Sequence, residues 1–158
     1  YQKQPKEAFP VCDFGYIDTA NKTEVRGEGG KTGIFYLALG DAGLYKLCYD
    51  TKTEEIHVKR LTDTGDACYR MGLGVIGEDR DYLTEEKAIY FCGRLEGEYG
   101  FYRTFDEGKS YERLNQDNQM YGEINSIDGD KRKFGRFFLA TGSRGVLYGE
   151  MKRQSRKI

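Results

Sequence analysis

Thr104-Phe105-Asp106-Glu107-Gly108-Lys109-Ser110-Tyr111 is the stretch that most constrains the fold of this 158-residue chain. Its spacing predicts a tight turn in which each defined position has a task. The carboxylate of Asp106 can accept hydrogen bonds from turn amides, and Gly108 can adopt a positive φ that other residues resist. The ring of Tyr111 can fold back onto the sheet that the turn leaves. The stretch therefore predicts two antiparallel strands joined at this point.

The same strand, turn and strand form occurs three times along the chain. Each copy has a short apolar strand, a glycine-bearing turn and a second strand that begins near Gly-apolar-aromatic. The copies are 33–38 with 43–47, 88–93 with 100–103 and 136–140 with 145–149. Corresponding positions recur at intervals of roughly 45 to 57 residues, the length of one four-stranded propeller blade with its loops. The repeat predicts an all-β chain of about three four-stranded antiparallel blades, with approximate bounds 8–62, 66–115 and 120–150.

The number of blades bears on whether the chain is complete. A closed propeller needs at least four blades, so about three of them form an incomplete β-propeller. Its two end blades would leave apolar faces open to water. Residues 1–158 are therefore predicted to be a fragment of a larger protein, or one part of an assembly. The remaining blades, in the same or another chain, are the predicted partner.

Four further segments complete the predicted elements. Residues 56–61 alternate apolar and polar side chains, which predicts a half-buried strand with His57 on the solvent side. Residues 68–75 and 122–127 carry small side chains and are predicted to be innermost strands. The polar, glycine-rich stretch 21–32 is predicted to be a long loop.

The composition agrees with strands and excludes several classes of function. The chain has 13 Tyr, 9 Phe and 21 Gly with 2 Pro and no Trp, which favours aromatic strands punctuated by glycine turns. Lys and Arg (25) nearly balance Asp and Glu (26), so we expect no nucleic-acid binding. No apolar run approaches the roughly 20 residues of a membrane span, so we expect no membrane insertion. The basic tail 152–157 is predicted to be a solvated terminus.

The cysteines do not indicate a metal site. Cys12, Cys48, Cys68 and Cys92 are scattered without a C-x-x-C pair, and His57 is the single histidine. No metal and no other cofactor is therefore expected. Four cysteines allow three disulfide pairings, although the strand-like surroundings of Cys48 and Cys92 slightly favour buried thiols.

Candidate functional residues lie in the predicted loops. With 26 acidic residues, some carboxylates are neighbours by chance, so no catalytic pair is assigned. Four aspartates beside glycines or strand ends are predicted to form turns, namely Asp13, Asp41, Asp66 and Asp130. Tyr121 in the loop 119–122 and Arg144 in the loop 142–145 are the candidates for contact with a sugar. The alternative is a packed aromatic ring and an arginine that bridges neighbouring blades.

The stretch 104–111 fits the Asp-box pattern Ser/Thr-x-Asp-x-Gly-x-Ser/Thr-aromatic at every defined position. It resembles the turns between outer strands of sialidase-like propellers. The resemblance implies that Thr104, Asp106, Gly108 and Tyr111 staple the turn and take no part in catalysis. Residues 48–54 resemble a decayed copy that keeps the aspartate and lacks the glycine.

A longer resemblance extends over 100–108, 121–122, 129–130 and 134–149, the last of which includes Phe134-Gly135-Arg136-Phe137-Phe138-Leu139-Ala140-Thr141-Gly142. These stretches are similar to the C-terminal end of glycoside hydrolase family 74. The similarity is firm over roughly the last 60 residues and continues in the same order back to about Gly33. It implies two propellers with a substrate cleft between them.

The resemblance also implies a function. Members of that family hydrolyse xyloglucan and related β-1,4-glucans with inversion, using two aspartates upstream of the matched region. The chain is then expected to be a secreted scaffold segment that supplies a wall of the cleft and has no activity alone. The alternative is a non-catalytic Asp-box propeller that binds carbohydrate or protein. In either case we expect the polysaccharide or protein ligand to bind to the loops.

Overall fold

The computed structural model describes most of the chain as strands and turns. The described residues are 15–18, 23–27, 33–50, 52–83 and 86–151. They form twelve strands and no helix, so among them no helix exists that could cross a membrane. The predicted all-β class is confirmed. Cys12, Asp13 and the basic tail 152–157 lie outside the described residues.

The first sheet contains five antiparallel strands in sequence order. They are β1 (Gly15–Asp18), β2 (Thr23–Gly27), β3 (Ile34–Leu39), β4 (Leu44–Asp50) and β5 (Glu55–Arg60). The prediction of a loop over 21–32 is wrong at Thr23–Gly27, because β2 pairs with both β1 and β3. The short polar sequence of β2 carries no strong strand signal, and its conformation follows from the backbone hydrogen bonds of its neighbours.

The second and third sheets are also antiparallel and follow sequence order. The second contains β6 (Ala67–Val75), β7 (Lys87–Leu95), β8 (Glu98–Thr104) and β9 (Glu112–Arg113). The third contains β10 (Ile124–Gly129), β11 (Phe137–Thr141) and β12 (Val146–Gly149). Three sheets match the predicted number of repeats. The described strands number five, four and three per sheet, whereas four in each was expected.

Two apolar clusters hold the three sheets together. Strand β7 separates them, because its alternate side chains point to opposite faces of the second sheet. Ile89 and Phe91 lie in the cluster shared with the first sheet. Tyr90 and Cys92 lie in the cluster shared with the third sheet. Burial on both faces explains why residues 88–93 of β7 are continuously apolar instead of alternating.

The inner strands β6 and β10 run side by side and parallel. Val75 N donates a hydrogen bond to Asp130 O at 3.0 Å. A Cβ atom on Gly74 would lie 3.1 Å from the Cα atom of Gly129. The sheets meet this closely because glycine occupies the facing positions, and an added side chain would push the strands apart. The segments 68–75 and 122–127, which were predicted to be innermost strands, overlap β6 and β10.

The outer faces of the first and third sheets carry exposed apolar side chains. Ile56 and Val58 on β5 are 59% and 61% exposed, so the prediction of a half-buried strand is wrong for the described chain. On β12, Val146 and Tyr148 are 70% and 68% exposed. The alternation of β5 does place both apolar side chains on one face of the sheet. No described residue buries that face.

The cysteines agree with the preference for thiols. Cys48, Cys68 and Cys92 are thiols, of which Cys68 and Cys92 are buried and Cys48 is half-buried. All three lie on strands. The disulfide pairings among these three are therefore not formed, and packing accounts for their positions.

Candidate functional site

Several turns and loops meet at the end of the sheets where β6 and β10 begin. Gly40 and Cys68 exchange backbone hydrogen bonds of 2.8 and 2.9 Å, which brings the β3–β4 turn to the start of β6. Glu96 N in the β7–β8 turn donates to Asp66 Oδ1 at 2.9 Å. We name this surface the upper rim. It consists of residues 40–43, 66–70, 94–99, 113–123 and 142–145.

Both predicted sugar-contacting residues lie on the upper rim. Gly142 N donates to Glu123 O at 3.0 Å, so the loops that carry Arg144 and Tyr121 adjoin. The half-buried ring of Tyr121 stacks on Phe101 with centroids 6.3 Å apart and an interplanar angle of 7°. Arg144 is exposed, and its backbone amide donates to Thr141 Oγ1 at 2.9 Å. One face of the Tyr121 ring is therefore used in packing, whereas Arg144 lies in an exposed turn.

The upper rim also brings together residues that the sequence did not single out as a group. Tyr69 Oη donates to Asp41 Oδ1 at 2.9 Å, and Arg94 Nη2 lies 3.8 Å from the same oxygen. The ring of Tyr69 lies beside that of Tyr99, with centroids 6.4 Å apart and an interplanar angle of 35°. The four residues come from two sheets and are up to 58 positions apart. Only the packing of the sheets joins them.

Asp41 differs in this respect from the other predicted turn aspartates. Asp66 accepts backbone hydrogen bonds from Asp63 N (3.1 Å) and Glu96 N (2.9 Å). Asp130 Oδ1 accepts them from Arg132 N and Lys133 N, at 2.7 and 3.0 Å. The carboxylate of Asp41 instead accepts its hydrogen bond from the Tyr69 side chain. The prediction that Asp41 forms a turn is therefore supported by its position in the β3–β4 turn and not by the hydrogen bond of its side chain.

Tyr69 and Tyr99 remain protonated hydrogen-bond donors well above neutral pH. Burial raises the pKa of Tyr69, and the hydrogen bond to Asp41 raises it further. Burial also raises the pKa of Tyr99, with a smaller contribution from the neighbouring Cys92 thiol. Beside Tyr99 lies a cavity of about 240 Å³ lined by Glu98, Tyr99, Arg113, Asp117 and Met120.

Charged groups around this cavity are paired. Arg113 Nη2 lies 2.9 Å from Asp117 Oδ1, and Arg113 Nη1 lies 3.6 Å from Glu98 Oε2. No cluster of three or more histidine, cysteine or acidic side chains suited to a metal ion occurs in the described part of the chain. The rim can thus offer hydrogen-bond donors, acceptors and aromatic surface to a ligand.

The hairpin between β8 and β9 is built as its residue types suggest. Asp106 Oδ1 accepts from Ser110 N at 2.9 Å, and Asp106 Oδ2 accepts from Ser110 Oγ at 2.6 Å. Thr104 Oγ1 donates to Asp106 Oδ1 at 2.8 Å and accepts from Gly108 N at 2.9 Å. Gly108 has a φ of 84°. These hydrogen bonds close the turn, and all of them join residues of the turn to one another.

This hairpin also contacts both neighbouring sheets. Tyr111 Oη donates to Leu61 O at 2.6 Å, and its ring lies edge-on to Phe91. Phe105 packs against Phe134 in the β10–β11 connection of the third sheet, with ring centroids 4.8 Å apart. The hairpin leaves β8 at the opposite end from the β7–β8 turn of the upper rim. These contacts indicate that the hairpin stabilises the packing between the sheets.

We expect acid to weaken the fold through Asp106. The hydrogen bonds from Ser110, side chain first and backbone second, hold the pKa of Asp106 at about 2, below the ordinary 3.8. A depressed pKa stabilises the native state above the unfolded value, and that stability is lost as the pH falls from about 4 through 2. Asp106→Asn should remove this part of the pH dependence, of the order of 1 kcal/mol because the group is solvent-screened. Urea denaturation at a series of pH values measures it.

Glu78→Gln is the matched control for this prediction, since Glu78 is an exposed carboxylate in the β6–β7 connection. It should leave the acid profile unchanged. An Asp106→Asn variant whose stability falls between pH 4 and 2 as steeply as that of the unmodified chain would contradict the role of Asp106.

Curated proteins that are similar to this chain include xyloglucanases. The chain is 32% identical over 128 residues to the xyloglucanase Xgh74A of Acetivibrio thermocellus, covering 80% of this chain and 14% of that protein. It is 31% identical over 127 residues to an oligoxyloglucan-reducing end-specific xyloglucanase of Emericella nidulans, covering 77% of this chain and 15% of that protein. No family model matches the chain.

Comparison of structures agrees. The crystal structure of the GH74 enzyme of Niastella koreensis superposes with a TM-score of 0.66 at 25% identity, over 83% of this chain and 18% of that one. The chain thus spans about one seventh of the length of the curated relatives it matches. The matches fit a chain that corresponds to a C-terminal segment of such an enzyme. The chain is therefore a homologue of a segment of the xyloglucanases of glycoside hydrolase family 74.

Proposed function

We propose that the chain is a C-terminal β-propeller segment of a glycoside hydrolase that acts on xyloglucan or related β-1,4-glucans. In this role it supplies scaffold and one wall of the substrate cleft. The observation that carries the proposal is the similarity to two xyloglucanases over more than three quarters of the chain. A polymeric substrate that is too large to enter a cell also favours a secreted, extracellular protein.

The scaffold role follows from the open faces of the end sheets. Each sheet is taken as one blade, within the approximate bounds 8–62, 66–115 and 120–150, with the 104–111 hairpin as an Asp-box. Ile56 and Val58 at one end and Val146 and Tyr148 at the other are more than half exposed. Packing further blades on both faces would remove this apolar surface from water. Blades of the same or another chain are the proposed partners.

The cleft wall is assigned to the upper rim. Propeller function concentrates in connecting loops, and the rim gathers such loops from all three sheets. Tyr121 and Arg144 are the proposed substrate contacts. The exposed guanidinium of Arg144 can donate to sugar hydroxyls, and the outward face of the Tyr121 ring can pack on a pyranose. Their adjoining loops support a shared role.

Catalysis is assigned to residues beyond this segment. Inverting glycosidases need two carboxyl groups roughly 6.5–9.5 Å apart, with room for a water between substrate and base. The charged pairs of the rim are instead carboxylates bound to arginines, such as Asp117 with Arg113. We therefore propose that the general acid and general base lie in upstream sequence.

We expect the 158-residue chain to release no detectable sugar from xyloglucan. Activity should appear when it replaces the matched 128-residue segment of the Acetivibrio thermocellus relative, and it should be lost when that segment is deleted. Reducing-end release is the measurement. Hydrolysis by the chain alone would overturn the proposal. Binding of glucan without hydrolysis in the chimaera would instead support the non-catalytic propeller.

A further inference from the structure

We propose that Asp41, Tyr69, Arg94 and Tyr99 form a binding site for an uncharged saccharide on the upper rim, with the Asp41 carboxylate as the acceptor for sugar hydroxyls. The site deepens the proposed function and depends on it only for the identity of the polysaccharide. It is separate from the contacts assigned to Tyr121 and Arg144. Binding here needs no catalytic residue.

The position of the Asp41 carboxylate is set before any ligand arrives. The β3–β4 turn that carries it is closed by the bond from Leu39 N to Gly43 O, at 2.9 Å. It is joined to β6 by the two bonds between Gly40 and Cys68. The Asp41 side chain is nevertheless 81% exposed. A fixed and exposed acceptor binds a ligand at low entropic cost.

One carboxylate oxygen is held and the other is available. Oδ1 accepts from Tyr69 Oη at 2.9 Å and lies 3.8 Å from Arg94 Nη2. Oδ2 takes no hydrogen bond from any described residue. An ionised carboxylate oxygen has two lone-pair sites, so Oδ2 can accept from adjacent hydroxyls of a sugar ring. Hydrogen bonds with one charged partner are among the stronger ones.

The tyrosines supply the apolar part of the site. Tyr69 and Tyr99 are half-buried and lie side by side, with an interplanar angle of 35°. A pyranose ring presents C–H groups on its faces and hydroxyls at its edge. The aromatic surface beside Asp41 can therefore meet a sugar face while the carboxylate meets its edge. The adjoining cavity of about 240 Å³ extends the site from Tyr99 towards Arg113.

The charges around Asp41 favour a neutral ligand over an acidic one at this site. Arg94 is paired with Asp41, and Arg113 with Asp117 and Glu98. Arg70, which follows Tyr69 in the chain, donates to the carbonyl oxygens of Tyr69 and Asn125. An acidic sugar would thus meet exposed carboxylates and arginines that are already engaged. Electrostatic repulsion by Asp41 disfavours it further.

The test is the binding of a xyloglucan heptasaccharide to the chain itself. Binding is monitored by the chemical shifts of the backbone amides in NMR spectra during the titration. Shifts are expected at the upper rim. Asp41→Asn should weaken binding about tenfold, because the charged acceptor is lost while the exposed site keeps its shape. Tyr69→Phe, which removes only the hydroxyl that holds Asp41, should weaken it about threefold. Glu78→Gln is the control and should change affinity by less than about twofold.

Four results would overturn the site. The first is an Asp41→Asn variant whose affinity for the heptasaccharide is unchanged, and the second is amide shifts confined to the depression lined by Lys131, Arg132 and Arg136. The third is tighter binding of an oligogalacturonide of equal length than of the heptasaccharide. The fourth is no binding of the heptasaccharide at about 20 mM. In the active chimaera, Asp41→Asn should raise KM for xyloglucan with kcat unchanged. A chimaera without hydrolysis but with Asp41-dependent binding would defeat the proposed function and leave this site standing.

Discussion

Gly72→Ala should lower the free energy of unfolding by about 3 kcal/mol, at the upper end of the cost of adding a methyl group to a packed interior. A Cβ atom at Gly72 would lie 2.4 Å from the Cα atom of Asp128 and 2.4 Å from Ile127 O. Both are backbone atoms, so no side-chain rotation relieves the clash. Strands β6 and β10 would have to separate, which also weakens the 3.1 Å bond from Leu73 N to Asp128 Oδ1. Urea denaturation followed by circular dichroism measures the loss.

Gly142→Ala is the matched control, because Gly142 is exposed and its nearest neighbour to an added Cβ is Glu123 Cβ at 3.7 Å. It should change the stability by less than about 0.5 kcal/mol. Equal effects of the two substitutions would show that the close approach of β6 and β10 does not exist in solution. The inner-strand contact, on which the arrangement of the second and third sheets depends, would then fail.

Phe91→Ala should lower the free energy of unfolding by about 3–5 kcal/mol, the usual cost of deleting a buried aromatic ring. Phe91 is fully buried. Its ring stacks on Tyr102 with centroids 5.5 Å apart and meets the edge of Tyr111 at 5.7 Å. The deletion therefore leaves a cavity between the first and second sheets and removes the platform of the 104–111 hairpin. Thermal and urea denaturation should report the same loss.

Tyr148→Ala is the control for an aromatic ring that is 68% exposed, and in the isolated chain it should be within about 0.5 kcal/mol of neutral. In a longer polypeptide whose next blade covers β12, the same substitution should cost more, because the ring would then be buried. A Phe91→Ala variant as stable as the unmodified chain would contradict the packing between the first two sheets.

The repeated strand, turn and strand units could be recognised without coordinates because the information is local. Apolar runs such as 88–93 and glycine turns such as that near Gly97 act within a few residues. The hairpin at 104–111 was predictable for the same reason, since Asp106, Gly108 and Thr104 bond to one another. Strand β2 was missed because its pairing with β1 and β3 depends on neighbours in space.

The candidate site shows the same division. Tyr121 and Arg144 could be named from loop composition, and their loops do adjoin. The group of Asp41, Tyr69 and Arg94 could not be found this way, because its members are 25 to 53 positions apart and belong to two sheets. Aspartates beside glycine are common in turns, and nothing in the local sequence separates Asp41 from Asp66 or Asp130.

Residue types and their spacing were enough to predict that the chain is built of β-strands, that a strand-turn-strand unit recurs and that a closed turn follows β8. Each of these depends on residues close together in the chain. The packing of the sheets sets which face of each sheet is covered, why residues 88–93 of β7 are apolar on both faces while β5 is exposed, and which side chains meet on the upper rim. The reason is physical: burial and long-range hydrogen bonds are set by the neighbour that a strand acquires, and that neighbour is chosen when the sheets pack.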